Sequence, residues 1–402
     1  MNQPKKLMLL GGIRYLLPVI EAAHKQGYYV ITADYLPDNI AHKYSDEYVN
    51  VSIIDKEAVL KAAQEKEIDG IMSFGVDPGV VAASYVQNQM RLPSFGPFES
   101  VEILQNKDKF RAFLTQHGFN VPWAFGFSTI EDAWENKDKF AYPLIVKPTD
   151  SAGSKGVRRV DEELELFSAL QYAHEHSIKG NIIVEEFIEK EGCSSDSDCF
   201  SVDGELKIAT FSAQRFDENA AGTFVPAAFS WPSTMSMQQE SELRSELQRL
   251  LSLLHMQTSI YNVETRIGKN GKPYIMEASP RGGGNRLAEM VRYSTGMDMI
   301  TAAVRSAVGD PIGEVVQQPL NGHWAEVILH SQQDGTFQEL SLSEEIKPFV
   351  YEEDLWVKPG DQVSSFIGAN DAIGTLVLKA DSAEKIESFV GNIACFLAVN
   401  VK

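Results

Sequence analysis

The chain has 402 residues, 44% hydrophobic and 23% charged, which suits a globular protein of several subdomains and excludes a collagenous or low-complexity one. Its formal net charge of −20 repels nucleic acid and anionic membrane, so neither is expected as a partner. No apolar run nears the ~20 residues that span a bilayer. The run in "MNQPKKLMLLGGIR" is too short for a secretory signal. Cys193, Cys199 and Cys395 show neither metal nor disulfide spacing. A reducing cytoplasm is therefore the expected setting.

From Lys6 to Gly75 strand and helix patterns alternate. "KLMLLGG" reads as a strand closed by glycine. "YLLPVIEAAHKQG" reads as a helix ended by Gly27, and "YYVITADY" as a strand ending at Asp34. "KEAVLKAAQEKEI" is a helix and "DGIMSFG" a further strand. This βαβα order predicts an open parallel sheet of doubly wound type. The turn at Gly11 and Gly12 lacks GxGxxG spacing and reads as a tight βα turn. Asp34 stands where a dinucleotide fold would hold a ribose, but one loose match makes no nucleotide site.

Further on, "NKDKFRAFLTQHG" (Asn106 to Gly118) predicts an amphipathic helix and "YPLIVKP" a strand. "TDSAGSKGV" is a loop of small residues. A helix follows from Glu162 to His176, then a strand in "NIIVEEFI". Cys193 to Phe229 reads as antiparallel strands with a turn at Asp203-Gly204. "QQESELRSELQRLLSLLHM" is a helix, and "YNVETRI" with "KPYIMEAS" forms a hairpin. After Gly309, short strands such as "GHWAEVILHS" and "GTLVLKA" precede a helix starting near Ser382, which predicts a small α+β unit.

Four stretches carry chemistry. Lys147 ends an apolar strand, and the loop Thr149 to Gly156 offers exposed N–H groups and small side chains that suit a polyphosphate. Alone it is equally a surface turn. Glu185 and Glu186 end the next strand, where they could accept from the amino group of a ring; a charged strand end is more often solvated. Glu264 and Glu277 lie on the two strands of the hairpin. Opposite side chains on one face come within about 5 Å. Like charges that close need a cation between them, and hard oxygen ligands beside phosphates favour Mg2+. Otherwise the two face opposite sides or pair with Arg266 and Arg281. Arg281, followed by three glycines, sets a guanidinium fork beside bare backbone, which suits a carboxylate or phosphoryl oxygen.

These pieces, in this order, resemble the ATP-grasp superfamily over the whole chain. The resemblance implies an N-terminal open parallel α/β domain (residues 1–105), a central ATP-grasp module (106–310) and a small C-terminal α+β unit like that of biotin carboxylase and the amino-acid ligases (311–402). It implies ATP and Mg2+, with Mn2+ as the alternative ion. Lys109 and Lys147 match the two nucleotide lysines. The loop Asp150 to Gly156, with Ser151, Gly153, Ser154, Lys155 and Gly156, matches the phosphate lid. Glu185, Glu186 and Ile188 match the adenine hinge. Glu264 and Glu277 match the metal-bridging pair, with Ser279 where the family usually has an asparagine ligand. Arg281, with Lys155, matches the groups that steady the transferred phosphoryl. Asp196 and Glu191 are both open as the ribose-holding acid.

The implied reaction joins a small-molecule carboxylate to an amine through an acyl-phosphate. Positioning and charge neutralisation do most of the catalysis in such a transfer. A formate- or bicarbonate-activating enzyme of the purine-pathway or carboxylase type is the rival. A nucleotide-binding protein without ligase activity is a different class, hinted at by Ser279 alone. A dehydrogenase is disfavoured by the missing glycine fingerprint. Arg215 and Trp231, between hinge and metal hairpin, are placed in the acceptor pocket by position, although Arg215 is equally a surface residue paired with Asp217 or Glu218. His255, read as helical, is expected to be structural. A homodimer is compatible with all of this.

Overall fold

The computed structural model describes residues 3–151 and 155–402. Gly153 and Ser154 of the expected lid lie outside the described residues.

The first sheet is parallel and runs Glu47–Asn50, Tyr29–Asp34, Lys6–Leu10, Gly70–Ser73. Its strand Lys6–Leu10 is apolar and buried from Leu7 onward because both faces are covered. Met8 and Leu10 enter one core while Leu7 and Leu9 enter another. Helices Leu17–Lys25 and Lys56–Lys66 connect strands of this sheet, and Pro78–Met90 follows its last strand. The short strand Glu47–Asn50 was not expected, since "EYVN" lacks an apolar run. A helix distant in sequence, Met299–Ala307, packs its Ile300 and Val304 into the same core as Val19 and Leu9. Gly70 permits that approach, because a Cβ there would lie 2.1 Å from the Ala307 carbonyl oxygen.

The centre of the chain forms two antiparallel sheets. One runs Ala124–Phe127, Ile182–Glu186, Leu144–Pro148, Arg158–Val160, with helices Ile130–Glu135 and Glu163–Glu175 closing its core. The other runs Glu205–Ala209, Ser195–Val202, Ser259–Ile267, Pro273–Ser279. The Asp203-Gly204 turn is as expected, with φ of +51° and +80°, the left-handed pair a two-residue hairpin needs. Helix Met237–Leu253 opens on a capping box between Ser236 and Gln239 and buries Leu243, Leu247, Leu250 and Leu251 against this sheet's core.

The segment read as one antiparallel array from Cys193 to Phe229 divides between two sheets. Ala213–Phe216 and Pro226–Trp231 leave the central sheet and continue the C-terminal one, in the order Ala213–Phe216, Pro226–Trp231, His323–Leu329, Gly374–Ala380, Val350–Leu355. Residues on both sides of position 310 therefore share a sheet. Helix Ala383–Val390 covers it, and a small sheet of Gln362–Val363, Gly335–Leu342 and Leu397–Val401 completes the α+β unit. Among the described residues no helix is long and apolar enough to cross a membrane.

Candidate active site

The hairpin Ser259–Ile267/Pro273–Ser279 places Glu264 directly opposite Glu277. Strand Ser195–Val202, on the other side, places Asp196 directly opposite Glu264. Three carboxylates thus cross three strands in a row, and all three line one cavity of about 440 Å³. Burial, then the neighbouring Glu264 and Asp198 carboxylates, push Asp196 up to about 8. The Asn262 amide donates to Asp196 at 2.6 Å. Asp198 is also pushed up by burial, to about 7, although it accepts from the Gly283 N–H at 2.8 Å. Asp196, one of the two acids open as the ribose holder, thus stands beside Glu264. Glu191 is exposed, and its backbone N–H donates to the Ile267 carbonyl.

The lysines divide. Lys147 lines the cavity and donates to Glu185. Glu185 also accepts from Arg111 Nε at 3.0 Å, so two cations close on one buried carboxylate. Burial would raise that carboxyl, but Arg111 and Lys147 hold it at about 2. Lys147 bears the cost: burial, with Arg111 and Lys107 close by, lowers its ammonium despite the Glu185 contact. The Glu185 carboxylate is therefore engaged within the protein and does not stand free for an adenine ring. Glu186 and Ile188 do line the cavity, and Ile188, Ile145 and Met276 give it an apolar slot at this end.

Lys109 lies outside the cavity, its ammonium 3.7 Å from Glu102. Lys107, two residues earlier on helix Lys107–Gln116, lines it instead, with Nζ 3.1 Å from the Ser151 carbonyl oxygen and 3.5 Å from Glu277. Two residues along a helix turn a side chain by about 200°, so only one of the pair can face the site. Ser151 and Lys155 line the cavity as expected. Gly156, at φ +76°, is buried, and a Cβ there would come within 2.7 Å of Pro148 and His176 side-chain atoms, so its smallness serves packing.

Arg281 also lines the cavity, but its fork is occupied. Nε and Nη2 donate to the two oxygens of Asp77 at 2.8 and 2.6 Å. Burial alone would raise the Asp77 carboxyl, yet the Arg281 guanidinium wins and lowers it. Ser279 is fully buried and committed to the same cluster, donating to Asp77 at 2.9 Å and accepting from Gln105 at 2.7 Å. Its hydroxyl supports Asp77 and is not turned to the Glu264–Glu277 pair, so the metal-ligand expectation for Ser279 is corrected. The loop carrying Asp77 docks on the glycines after Arg281, with Gly75 N–H donating to the Gly282 carbonyl at 2.9 Å. Gly282 must lack a side chain because a Cβ would sit 2.1 Å from the Phe74 ring.

Arg215 and Trp231 are corrected as well. Arg215 points away from the cavity, donating to Glu387 at 2.6 Å and to Ser230 at 2.9 Å. Trp231 is 1% exposed and packs in the core with Phe229 and Trp324. Gln214 and Phe216, the strand neighbours of Arg215, face the cavity instead. Asp34 closes its own loop, accepting from Tyr35 N–H and Asn39. His255 follows its helix with φ +51° and is exposed.

The site fits a nucleoside triphosphate and a divalent cation. An apolar slot lies beside Lys147, Lys107 and Lys155 supply positive charge, and Glu264 and Glu277 offer hard oxygens. Among the described residues no cluster of three or more His, Cys, Asp or Glu is arranged as a metal site by itself. An ion here would share its shell with phosphate oxygens, as Mg2+ commonly does.

Residues 140–289 match the family model described as an ATP-grasp domain. The chain is 23% identical over 300 residues to the carbamoyl phosphate synthase large chain of Thermotoga sp. (strain RQ2), a match covering 74% of this chain and 27% of that one. It thus spans about a quarter of that relative's length. Among solved structures it is similar to an L-amino acid ligase from Bacillus licheniformis, with a TM-score of 0.81 and 23% identity over 100% of both chains. It is also similar to a phosphoribosylglycinamide synthetase from Anaerococcus prevotii, with a TM-score of 0.76 and 19% identity over 100% of both.

Proposed function

Because this chain carries an ATP-grasp domain over residues 140–289, we propose that it is an ADP-forming ligase that joins a small-molecule carboxylate to an amine, with ATP and Mg2+. The observation that carries this reading is the register of Glu264 against Glu277 inside a cavity that also holds Lys107, Lys147 and Arg281. A row of acids with cations on either side of it is what a polyphosphate and its counter-ion require, and it has little purpose in an apolar-ligand pocket.

The substrate carboxylate attacks the γ-phosphorus, the bond to the β-phosphate oxygen breaks, and an acyl-phosphate and ADP form. The amine nitrogen then adds to the acyl carbon, loses a proton and expels phosphate. Lys147 and Lys107 hold the phosphates by charge-assisted hydrogen bonds. Glu264 and Glu277 would hold Mg2+, which when bound neutralises charge on the phosphates. Arg281, fixed by Asp77 and by the Gly282 carbonyl, lends positive charge to the reacting oxygens, and its orientation is set before substrate arrives. Lys155, at the cavity rim, adds charge beside the phosphates.

The test is titration calorimetry of Mg2+-ATP on the purified protein, paired with phosphate release over a matrix of carboxylic acids and amines. Micromolar-range nucleotide binding that Glu264→Gln weakens, together with phosphate release that needs both co-substrates, supports the reading. Absence of nucleotide binding overturns it.

A further inference from the structure

A second cavity, of about 260 Å³, lies where the N-terminal and central parts of the chain meet. Strand Gly70–Ser73, helix Pro78–Met90, the start of strand Ser259–Ile267 and helix Met299–Ala307 all contribute to its wall. Small-molecule sites favour such junctions. Arg281 lines this cavity as well as that of the candidate active site, so it stands between the two. The proposed reaction makes no use of the second one.

The wall offers chiefly acceptors. Ser73 donates to the Val76 carbonyl, Ser94 to the Gly96 carbonyl at 2.8 Å, Ser259 to the Ile260 carbonyl at 2.8 Å and Thr258 to the Asp203 carboxylate at 3.2 Å. A hydroxyl has one proton, so these groups have only lone pairs left for an occupant. Gln87 is 2% exposed and donates through Nε2 to the Ile71 carbonyl at 3.0 Å, while its Oε1 has no partner. A buried acceptor left unpaired is costly. Ser306 and the second amide protons of Gln87 and Gln257 remain as side-chain donors, all of them neutral. Arg281 is the one cation among the lining residues, and Asp77 already neutralises it. Asp203 is the one acid, exposed at the edge of the cavity, and among the described residues it stands in no ion pair. The unbalanced charge on this wall is therefore negative.

An anion would meet lone pairs and Asp203, with no free cation on the lining to hold it. A primary ammonium brings three donors and no acceptor, which is the complement of this wall. Met72, Phe95, Ile260 and Ala303 are buried along the remainder, which suits a hydrocarbon body. The volume is below the roughly 300–1,000 Å³ of drug-sized pockets, so that body is short.

We propose that this second cavity is a binding site for a small primary amine in its ammonium form, the ammonium facing Asp203 and the Gln87 amide. The site goes beyond the ligase reading and does not depend on it, because its own wall defines it.

The test compares n-butylamine, 1-butanol and butyrate, which share a hydrocarbon body and differ in the head group. Each is titrated at pH 7 into the full chain without nucleotide, and saturation-transfer NMR reads the binding. The amine should bind at least roughly fivefold tighter than the alcohol, the excess of a charged over a neutral hydrogen bond, and butyrate should not bind. Asp203→Asn should remove the amine's advantage. Asparagine tolerates the left-handed backbone of this turn position, at φ +51°, so the variant keeps the fold. Gln87→Met, which deletes the unpaired acceptor, should weaken the amine by a similar factor, with urea unfolding as the check that it folds. If it does not fold, Asp203→Asn decides alone. Absence of amine binding, equal binding of the alcohol or of butyrate, or an unaltered amine affinity in either folded variant overturns the proposal. Displacement of the amine by Mg2+ and a non-hydrolysable ATP analogue also overturns it, since that would put the amine in the active-site cavity.

Discussion

Asp77 and Arg281 form a two-bonded ion pair between the loop after the first sheet and the segment after the Glu264–Glu277 hairpin, at 2.8 and 2.6 Å. The pair fixes the guanidinium plane before any substrate binds, and Ser279 and Gln105 brace it from behind. Asp77→Ala leaves a buried guanidinium without its counter-ion. Breaking such a pair costs about 3 kcal/mol, the low end of the fully buried range because Asp77 keeps some exposure. Urea unfolding should show that loss. Asp77→Asn should keep more of the stability yet lower ligation well below the wild type, with ATP affinity within about twofold, since the carboxylate acts on Arg281 and not on the nucleotide.

The lysine assignment is tested by three variants. Lys107→Ala and Lys147→Ala should each weaken Mg2+-ATP binding by roughly 1.5–3 kcal/mol, the worth of a charged hydrogen bond. Lys109→Ala should leave it unaltered, because Lys109 faces Glu102 on the outside of its helix. Equal losses from Lys107 and Lys109 would refute the geometry.

Glu277→Gln removes a carboxylate that faces Glu264. Turnover should fall to background, while the melting temperature without metal should stay level or rise, because a like-charge contact is relieved. A variant with full activity would remove the metal role.

Glu185 supplies a pH signature. Its carboxyl is held at about 2 against an ordinary 4.5 by Arg111 and Lys147, which overcome burial. A depressed acid stabilises the fold above its unfolded value and loses that contribution as pH falls through the folded one. The window is therefore pH 4.5 down to about 2, and the span corresponds to about 3 kcal/mol. Denaturation midpoints of Glu185→Gln, measured across that window, should fall less steeply than those of the wild type. The variant should also be less stable at pH 7, since two cations are left facing one amide.

Much of this was legible in the sequence. The βαβα start, the glycine-ended strands, the Asp203-Gly204 turn and the opposed glutamates all follow from local patterns that the structure keeps. Two of the errors share one cause, the facing of a side chain. Arg215 was chosen where Gln214 and Phe216 face the cavity, and a strand's period of two makes a one-residue shift a change of face. Lys107 and Lys109 differ in the same way on a helix, where a two-residue step changes the face. Asp77 and the Arg111–Glu185 contact come from elements distant in sequence, and no local spacing announces them. The one available signal was "SFGVDPG", a strand end whose acid precedes a proline-started helix. Ser279 read as a weak ligand because its partners, Asp77 and Gln105, lie 202 and 174 residues away.

The most direct test of the ligase account is to trap the activated carboxylate. The protein is incubated with Mg2+-ATP, hydroxylamine and each of a panel of amino acids and simple carboxylic acids, and both hydroxamate and nucleotide products are measured. The account predicts that at least one acid yields hydroxamate with stoichiometric ADP and phosphate, and that Glu277→Gln abolishes both. Formation of AMP and pyrophosphate in place of ADP, or undiminished product from Glu277→Gln, would contradict it.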